Sequence, residues 1–538
     1  MPFSSADAST HPEGRPTPDD GYDVVIVGAG PVGLTAAGLL GRLGHRVAVV
    51  ERHPGLYNLP RAGHIDHEIM RTFQLLGFAD ALLADAVACD TYTLRNGKGE
   101  LLTEFPWAAD GVSGWKSDYM LYQPELEDLL YSHDVDDPAI TFHRGFEVHD
   151  FLVHEDHVEV HATAPAAPAD LHGPAREARD LVLRGRFLLG ADGGRSFVRD
   201  RLGIRRADLG FSSLWANADA RRNRDRVDLP FDSGQWCDPN RPTTVLPLGK
   251  RHRRFEWALL PGETAEEMAD PAVAWELLAG LGLTSEDLSI VRYHVWRFEA
   301  KIAEQWQRGR VFLLGDAAHT MPPFQGQGMC SGIRDASNLV WKLDLVLRGI
   351  TAEALLDTYQ QEREPNLRAW TELSIETGRL PCTLDPDEAE RRDEAFRSGA
   401  AKHLPVVPPL SGVVRDGSGA GELSLQARVS RAGAPGLFDD VIGGGFTVVS
   451  TAGDPAAVLA PRQRAFLDAL RAQVVHVAPD GAGGVTDVDG AYAAHFAERG
   501  WDVVVTRPDF YVFGAGSLSE LPAIVDDLAA RLGADETR

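Results

Sequence analysis

Apolar residues run almost unbroken through DVVIVG (23–28), recur at helical spacing through PVGLTAAGLLGRLG (31–44), and run unbroken again through HRVAVVE (45–51). Continuous apolar runs mark strands covered on both faces, so the pattern predicts a strand–helix–strand unit of parallel type. Short tracts of β-type alternation follow at about 89–104 and 149–162, and DLVLRGRFLLGADG (180–193) predicts a strand pair running into a turn. From about 203 to 297 the pattern is strand-rich, with Trp215, Trp236, Phe255, Trp257 and Trp296 on alternating tracts. RVFLLGDAAH (310–319) returns to the buried parallel style, and two helical stretches follow, at 331–349 and 352–364.

The charged, proline-containing tract 385–410 predicts a connector. Beyond it, strands at 443–450, 472–478 and 501–514 and a closing amphipathic helix at 521–533 outline a small α/β domain. The expected organisation is a disordered lead over 1–20 and a mostly parallel α/β domain over 21–203 and 298–380. A strand-rich domain over 204–297 is inserted into it, and a linker over 381–415 leads to the C-terminal domain over 416–538. The fold class is α/β.

Composition narrows the partners. The 538 residues include 53 basic against 79 acidic side chains, a formal charge of -26. Such a surface repels phosphate backbones and anionic lipid, so neither nucleic acid nor membrane is an expected partner. The four cysteines (Cys89, Cys237, Cys330, Cys382) lie far apart, with no CxxC pair and no metal-ligand spacing. They suit a reducing cytoplasm, and the polar first twenty residues lack the apolar stretch of a secretory signal.

The strand–helix–strand unit carries Gly28, Gly30 and Gly33 in GxGxxG spacing, with Glu51 ending its second strand. These glycines permit a tight turn, close approach of backbone to a pyrophosphate, and close packing of helix on strand. The helix start offers free N–H groups to the phosphates, and an acid at the strand end accepts from ribose hydroxyls. A dinucleotide site is predicted, and this motif alone leaves FAD and NAD both open. Two later segments bear on the choice. One is LLGADGGRSFVRDRLG, with Asp192 and Gly193; the other contains Gly315, Asp316, Gly326 and Gly328 in GDAAHTMPPFQGQG.

These three segments, in this order, resemble the class A flavoprotein aromatic hydroxylases, in the phenol-hydroxylase branch. The likeness extends over most of the chain and is closest to members acting on 3-(3-hydroxyphenyl)propionate. It implies a Rossmann-like FAD-binding domain, an interleaved β-sheet substrate domain, and a C-terminal thioredoxin-like domain without a redox CxxC. It also implies that Gly28, Gly30, Gly33, Glu51, Arg61, Gln123, Asp192, Gly315, Asp316, Gly326 and Gly328 serve FAD. NADH or NADPH would be a transient co-substrate, since Gly443–Gly445 precede only a strand and no second nucleotide motif is present. The implied reaction hydroxylates a phenolic acid of the 3-(3-hydroxyphenyl)propionate or 3-hydroxycinnamate type through a flavin hydroperoxide. The same motifs would serve a hydroxylase tailoring a larger polyketide or antibiotic ring. A homodimer is expected by analogy. One departure is Cys330, where many relatives carry Asn.

A base near the substrate hydroxyl would make the ring more reactive. Asp66 matches an active-site aspartate of the branch, and it equally suits the N-cap of the helix predicted after it. His64 and His67 are weaker candidates for the base, and His64, Arg254, Trp257, Pro323 and Phe324 are expected at the substrate. The arginines at 251, 253, 254, 292 and 297 could clamp a carboxylate, although strand alternation keeps them from all facing one pocket.

Overall fold

The computed structural model describes residues 21–166, 177–224, 233–400 and 409–533. The expected lead over 1–20 lies outside them. The first sheet is built on parallel strands Val311–Leu313, Arg179–Gly190, Tyr22–Val27, Val47–Glu51 and Ile140–Arg144, in that order. Tyr22–Val27, Val47–Glu51 and Val311–Leu313 are mostly apolar and buried, in keeping with the helices Pro31–Arg42, Gln123–Val135 and Gln327–Leu347 of this domain. Val27, Gly190 and Leu313 are register partners on three adjacent strands, so the turns that follow them leave the sheet side by side.

The tract 180–193 is one strand, not the expected pair. The first part of Arg179–Gly190 pairs antiparallel with Val158–Ala164, and its last part pairs parallel with Tyr22–Val27. A long strand can serve two neighbours in succession, and no turn residue interrupts this one.

The second sheet has eight strands, with Leu288–Ala303, Arg206–Arg222, His252–Ala258, Thr243–Leu248 and Gly234–Cys237 as consecutive antiparallel neighbours. Tyr92–Asn96 and Leu101–Phe105 complete its far edge, so this sheet draws strands from outside 204–297. The boundary expected at 297 falls inside strand Leu288–Ala303. The expected connector contains helix Pro386–Arg397, capped by Asp385 and tied down by Arg392, which donates to the carbonyls of Leu380 and Cys237. Among the described residues no helix is long and apolar enough to cross a membrane.

The C-terminal region forms a seven-stranded mixed sheet. Gln473–Ala478, Thr447–Ser450, Val503–Thr506 and Val512–Gly516 lie side by side in its middle and at one edge, with helices Pro461–Ala469, Ala491–Arg499 and Leu521–Arg531 between and after them. It is joined to the first domain through buried charge. Arg71 grips Asp439 through two bonds of 2.7 and 2.9 Å. Arg507 meets Glu362 at 2.8 Å and Asp509 at 2.6 Å, and Lys342 meets Glu362 at 2.9 Å.

Burial alone would raise the Glu362 carboxyl, but Arg507 and Lys342 bring it down to about 2. Its ionised form therefore stabilises the fold above its ordinary range near pH 4.5, and that support is lost as pH falls toward 2. Replacing Glu362 by Gln leaves two buried cations undercompensated. The expected loss is about 3–5 kcal/mol, measurable as a lower urea midpoint at neutral pH, and the gap between the variants should narrow in acid.

Candidate active site

The strand ending at Val27 turns into helix Pro31–Arg42 through Gly28, whose φ is +106°. A side chain there would be strained, and its Cβ would stand 2.4 Å from the Ala191 carbonyl oxygen. Gly33 packs so closely that a Cβ would lie 2.0 Å from the Gly28 carbonyl oxygen. Gly30 differs: its backbone is extended, and a Cβ would meet nothing within 4 Å. It borders open space, as a residue facing a ligand must.

That space is a trough with two compartments. The smaller, about 170 Å³, is lined by Gly28, Gly30, Glu51, Arg61, Gln123 and Asp192, among others. The larger, about 380 Å³, is lined by Gly30, Arg61, Gln123, Asp316, Gly326 and Gly328 on one side. Gly30, Arg61, Gln123 and Gly193 border both. Gly30, Asp192 and Asp316, on three separate turns, thus line two adjoining compartments that share a wall. Gly315 stands behind the wall, where a Cβ would press on Val32 at 3.0 Å.

Polar groups along the trough are only partly used. Glu51 accepts the backbone N–H groups of Ala29 and His53, both at 2.9 Å, and each oxygen keeps a lone pair. Asp192 accepts the Val198 N–H at 3.0 Å through Oδ2, while its buried Oδ1 has no partner among the described residues. Burial raises its pKa, against the Ser196 hydroxyl and nearby backbone donors. Asp316 is exposed on the wall of the large compartment; desolvation by the surrounding protein raises it too, opposed by His319, Arg61 and Arg206. Arg199 donates to the Ala317 carbonyl at 3.1 Å, joining the Asp192 turn to the Asp316 turn.

Gln123 acts on the loop before it. Its Oε1 accepts the N–H groups of Arg61 and Ala62 at 3.1 and 2.6 Å, and its amide donates to Glu127. Asp335, which sequence reasoning missed, holds the Asp316 turn: it accepts from the Gly315 N–H, His319 and Arg363 at 3.0 Å or a little either side. Its only sequence signal was an acid on a helix otherwise packed into the core.

The expected base at Asp66 is corrected by the structure. Asp66 Oδ1 caps helix His67–Leu76 through the N–H groups of Glu68 and Ile69, and Oδ2 accepts from Gln327 and Arg334. It does not line the large compartment. Burial would raise its carboxyl, but Arg334, His67, His64 and the helix N–H of Ile69 bring it down to about 2, too weak for a base. His67 bonds Ser113 and also lies away from the compartment. His64 does line it. Its Nε2 meets Asp118 at 2.8 Å and its Nδ1 meets the Gly326 carbonyl at 3.2 Å. Two acceptors require two N–H groups, so this ring is an imidazolium; burial opposes that charge, and Asp118 and Cys330 raise its pKa well above normal. Cys330 is fully buried, its thiol directed at the carbonyls of His64 and Gly326.

Arg254, Pro323 and Phe324 stand on the wall of the large compartment, as expected; Trp257 does not. Trp257 packs with Phe255, Val245 and Leu278 in a hydrophobic cluster on the opposite face of the strand. On His252–Ala258 alternate side chains face opposite ways, so Arg254 and Glu256 share the cavity side and exclude Trp257 from it. Of the five arginines considered for a carboxylate, Arg254 alone lines the large compartment. It is bidentate to Asp219 at 2.7 and 3.0 Å and braces the Arg61 carbonyl, while Arg292 braces the Pro60 carbonyl. Sequence reasoning also missed Tyr92, Trp107, Asn217, Gln235, Thr244 and Glu256, all on the cavity wall.

A family model described as an FAD binding domain matches residues 21–374, and one described as the HcaD C-terminal domain matches 421–531. A probable NADH-specific resorcinol 4-hydroxylase of Rhodococcus jostii is 39% identical over 518 residues, 94% of each chain. A 3-(3-hydroxy-phenyl)propionate/3-hydroxycinnamic acid hydroxylase of Escherichia coli is 30% identical, covering 97% of each. Among solved structures, aklavinone-11 hydroxylase in a ternary complex with FAD and aklavinone is 25% identical, with a TM-score of 0.74, 94% of this chain and 98% of that one covered. The trough, with its open Gly30 and the orphaned Oδ1 of Asp192, fits the FAD for which the matched family model is described, and the chain belongs to the FAD-dependent aromatic hydroxylases.

Proposed function

We propose that this enzyme hydroxylates the ring of a small phenol, consuming NADH and O₂. The observation that carries the reading is that the compartment at the glycine turn adjoins, through shared lining residues, one walled by Tyr92, Trp107, Trp296, Phe298 and Phe324. At about 380 Å³ that compartment is at the small end for ligand sites, and it must also take part of the cofactor. This favours a single ring over a larger polyketide. The curated relatives named for resorcinol and for phenylpropanoid acids support the same class, and the name of the first supports NADH.

FAD when bound supplies the activation of O₂ that puts one oxygen atom on an aromatic carbon. The chain's residues would hold it as follows. The Gly30 N–H and the start of helix Pro31–Arg42 would face the pyrophosphate, Glu51 and Arg61 would attend the adenosine end, and Asp192, Asp316 and the Gly326–Gly328 loop would meet the remainder. Phe324, packed edge-on against Phe211, Trp215 and Phe298, makes part of the compartment's apolar wall. His64 fixes the Gly326 loop from below.

The purified protein is expected to be yellow and to oxidise NADH faster when a small phenol is added, with one ring hydroxyl gained per O₂. Hydrogen peroxide as the sole oxygen product would reduce the reading to a flavin reductase. Replacing Gly30 by Val tests the cofactor site separately. The protein has room for the side chain, so folding should survive, whereas FAD affinity should fall by about tenfold or more, read by equilibrium dialysis and circular dichroism.

A further inference from the structure

The second sheet presents a polar row to the large compartment. Gln235, Thr244, Glu256 and Asn217 are successive cross-strand partners on four adjacent strands. All four are buried and all four line the cavity. Gln235 donates to the Thr244 hydroxyl at 3.2 Å, and the Asn217 amide donates to Glu256 Oε1 at 2.8 Å. The row is incomplete without a ligand: Asn217 Oδ1 is buried with no partner among the described residues, and Glu256 bonds Asn217 through Oε1 alone. Buried acceptors are normally paired, so these face a donor that the protein itself does not supply.

Two of the cations on the same wall are already paired. His64 is held by Asp118 and Arg254 by Asp219, while Arg61, which borders both compartments, lies over the Tyr57 ring. Glu256 stands 3.8 Å from Arg254, whose charge Asp219 already balances. A substrate carboxylate entering here would meet the Glu256 carboxyl on the sheet wall, where Arg254 is already paired with Asp219; Arg61 is the lining cation that makes no ion pair among the described residues. Hydroxyl groups would meet acceptors.

We propose that Glu256 and Asn217 recognise the phenolic hydroxyls of the substrate. Glu256 accepts the hydrogen of one hydroxyl and Asn217 Oδ1 that of another, which selects an uncharged dihydroxybenzene over a phenolic carboxylate. The inference rests on the proposed function and names the substrate class of that site. It also gives the ring its activating base. The groups facing Glu256 are Arg254 on its own strand, Asp219 on Arg206–Arg222 and Tyr92 on Tyr92–Asn96, with uncharged Asn217 and Thr244 beside it. Burial raises its carboxyl, Arg254 pulls it down, Asp219 pushes it up and Asn217 lowers it, leaving it at about 7. A base there is poised to take a phenolic proton near neutral pH.

The test uses the FAD-loaded enzyme with resorcinol and 3-(3-hydroxyphenyl)propionate, binding being read from the perturbed flavin spectrum and turnover from hydroxylated product. Wild type should favour resorcinol in kcat/KM, with kcat/KM rising through about pH 7 as Glu256 ionises. Glu256→Gln should retain flavin, bind resorcinol about tenfold or more weakly, and lose that rising limb. Asp219→Asn should free Arg254 and strengthen binding of the acid by about tenfold. Should Glu256→Gln fail to hold flavin, Asn217→Ala is expected to weaken resorcinol in the same way. Wild-type preference for the acid, or resorcinol binding and turnover unchanged in Glu256→Gln or Asn217→Ala, would overturn the proposal while leaving the hydroxylase reading intact. A wild type that hydroxylates no phenol would instead remove the reading beneath it.

Discussion

The site depends on parallel register. Val27, Gly190 and Leu313 pair across three neighbouring strands, so the chain leaves the sheet three times at one edge. The glycine turn, the Asp192 turn and the Asp316 turn come from distant parts of the sequence, and this pairing brings them together. Backbone bonds continue past the strand ends: Ala191 donates to the Val27 carbonyl and Leu314 to the Gly190 carbonyl. Ligands of open parallel sheets bind outside the carboxyl ends of the strands for this reason, since side chains and free N–H groups are delivered there on rigid supports. The second sheet then closes the space from the other side, with a polar row where the first sheet offers turns.

What could be read from the sequence divides along the range of the interactions involved. The GxGxxG turn was legible because its geometry is local: Gly28 needs its positive φ and Gly33 its close packing whatever the rest of the fold does. Asp192 and Asp316 came through the family resemblance, and their convergence is long-range. Asp66 was ambiguous between base and cap, and the deciding partner, Arg334, lies 268 residues away. Trp257 failed on parity, a rule that was available but could not say which face of the strand met the cavity. The row of Gln235, Thr244, Glu256 and Asn217 carries no motif, because each member comes from a different strand and only the sheet places them in line.

Helix Gln327–Leu347 links these layers. Its first residue bonds Asp66; Arg334 binds Glu68 at 2.6 Å; Asp335 fixes the Asp316 turn. Farther along, Asn338 and Lys342 meet Glu362, which Arg507 of the C-terminal domain also grips. Tyr511 reaches Glu68 from that same domain. Buried ion pairs contribute little net stability relative to apolar packing, but breaking one is costly, so such a chain of pairs fixes one arrangement more than it strengthens it. With no cysteine beyond Cys382, the C-terminal domain brings no thiol chemistry, and its buried contacts fall on the helices behind the cofactor loops.

The same reasoning explains the arginines that suggested an anion clamp. Arg254 and Arg292 hold the carbonyls of Arg61 and Pro60, carrying the loop that bears Arg61 to the trough. A guanidinium buried for that purpose needs a counter-ion, and Asp219 supplies it across the strand pair. Once Asp219 is present, Glu256 beside it is left without a cation of its own and is pushed toward its neutral form. Bracing the cofactor loop thus sets the electrostatics of the substrate wall: Arg254 is committed to the Arg61 carbonyl and to Asp219, and Glu256 beside it, once ionised, is an acceptor for a ligand's hydrogen.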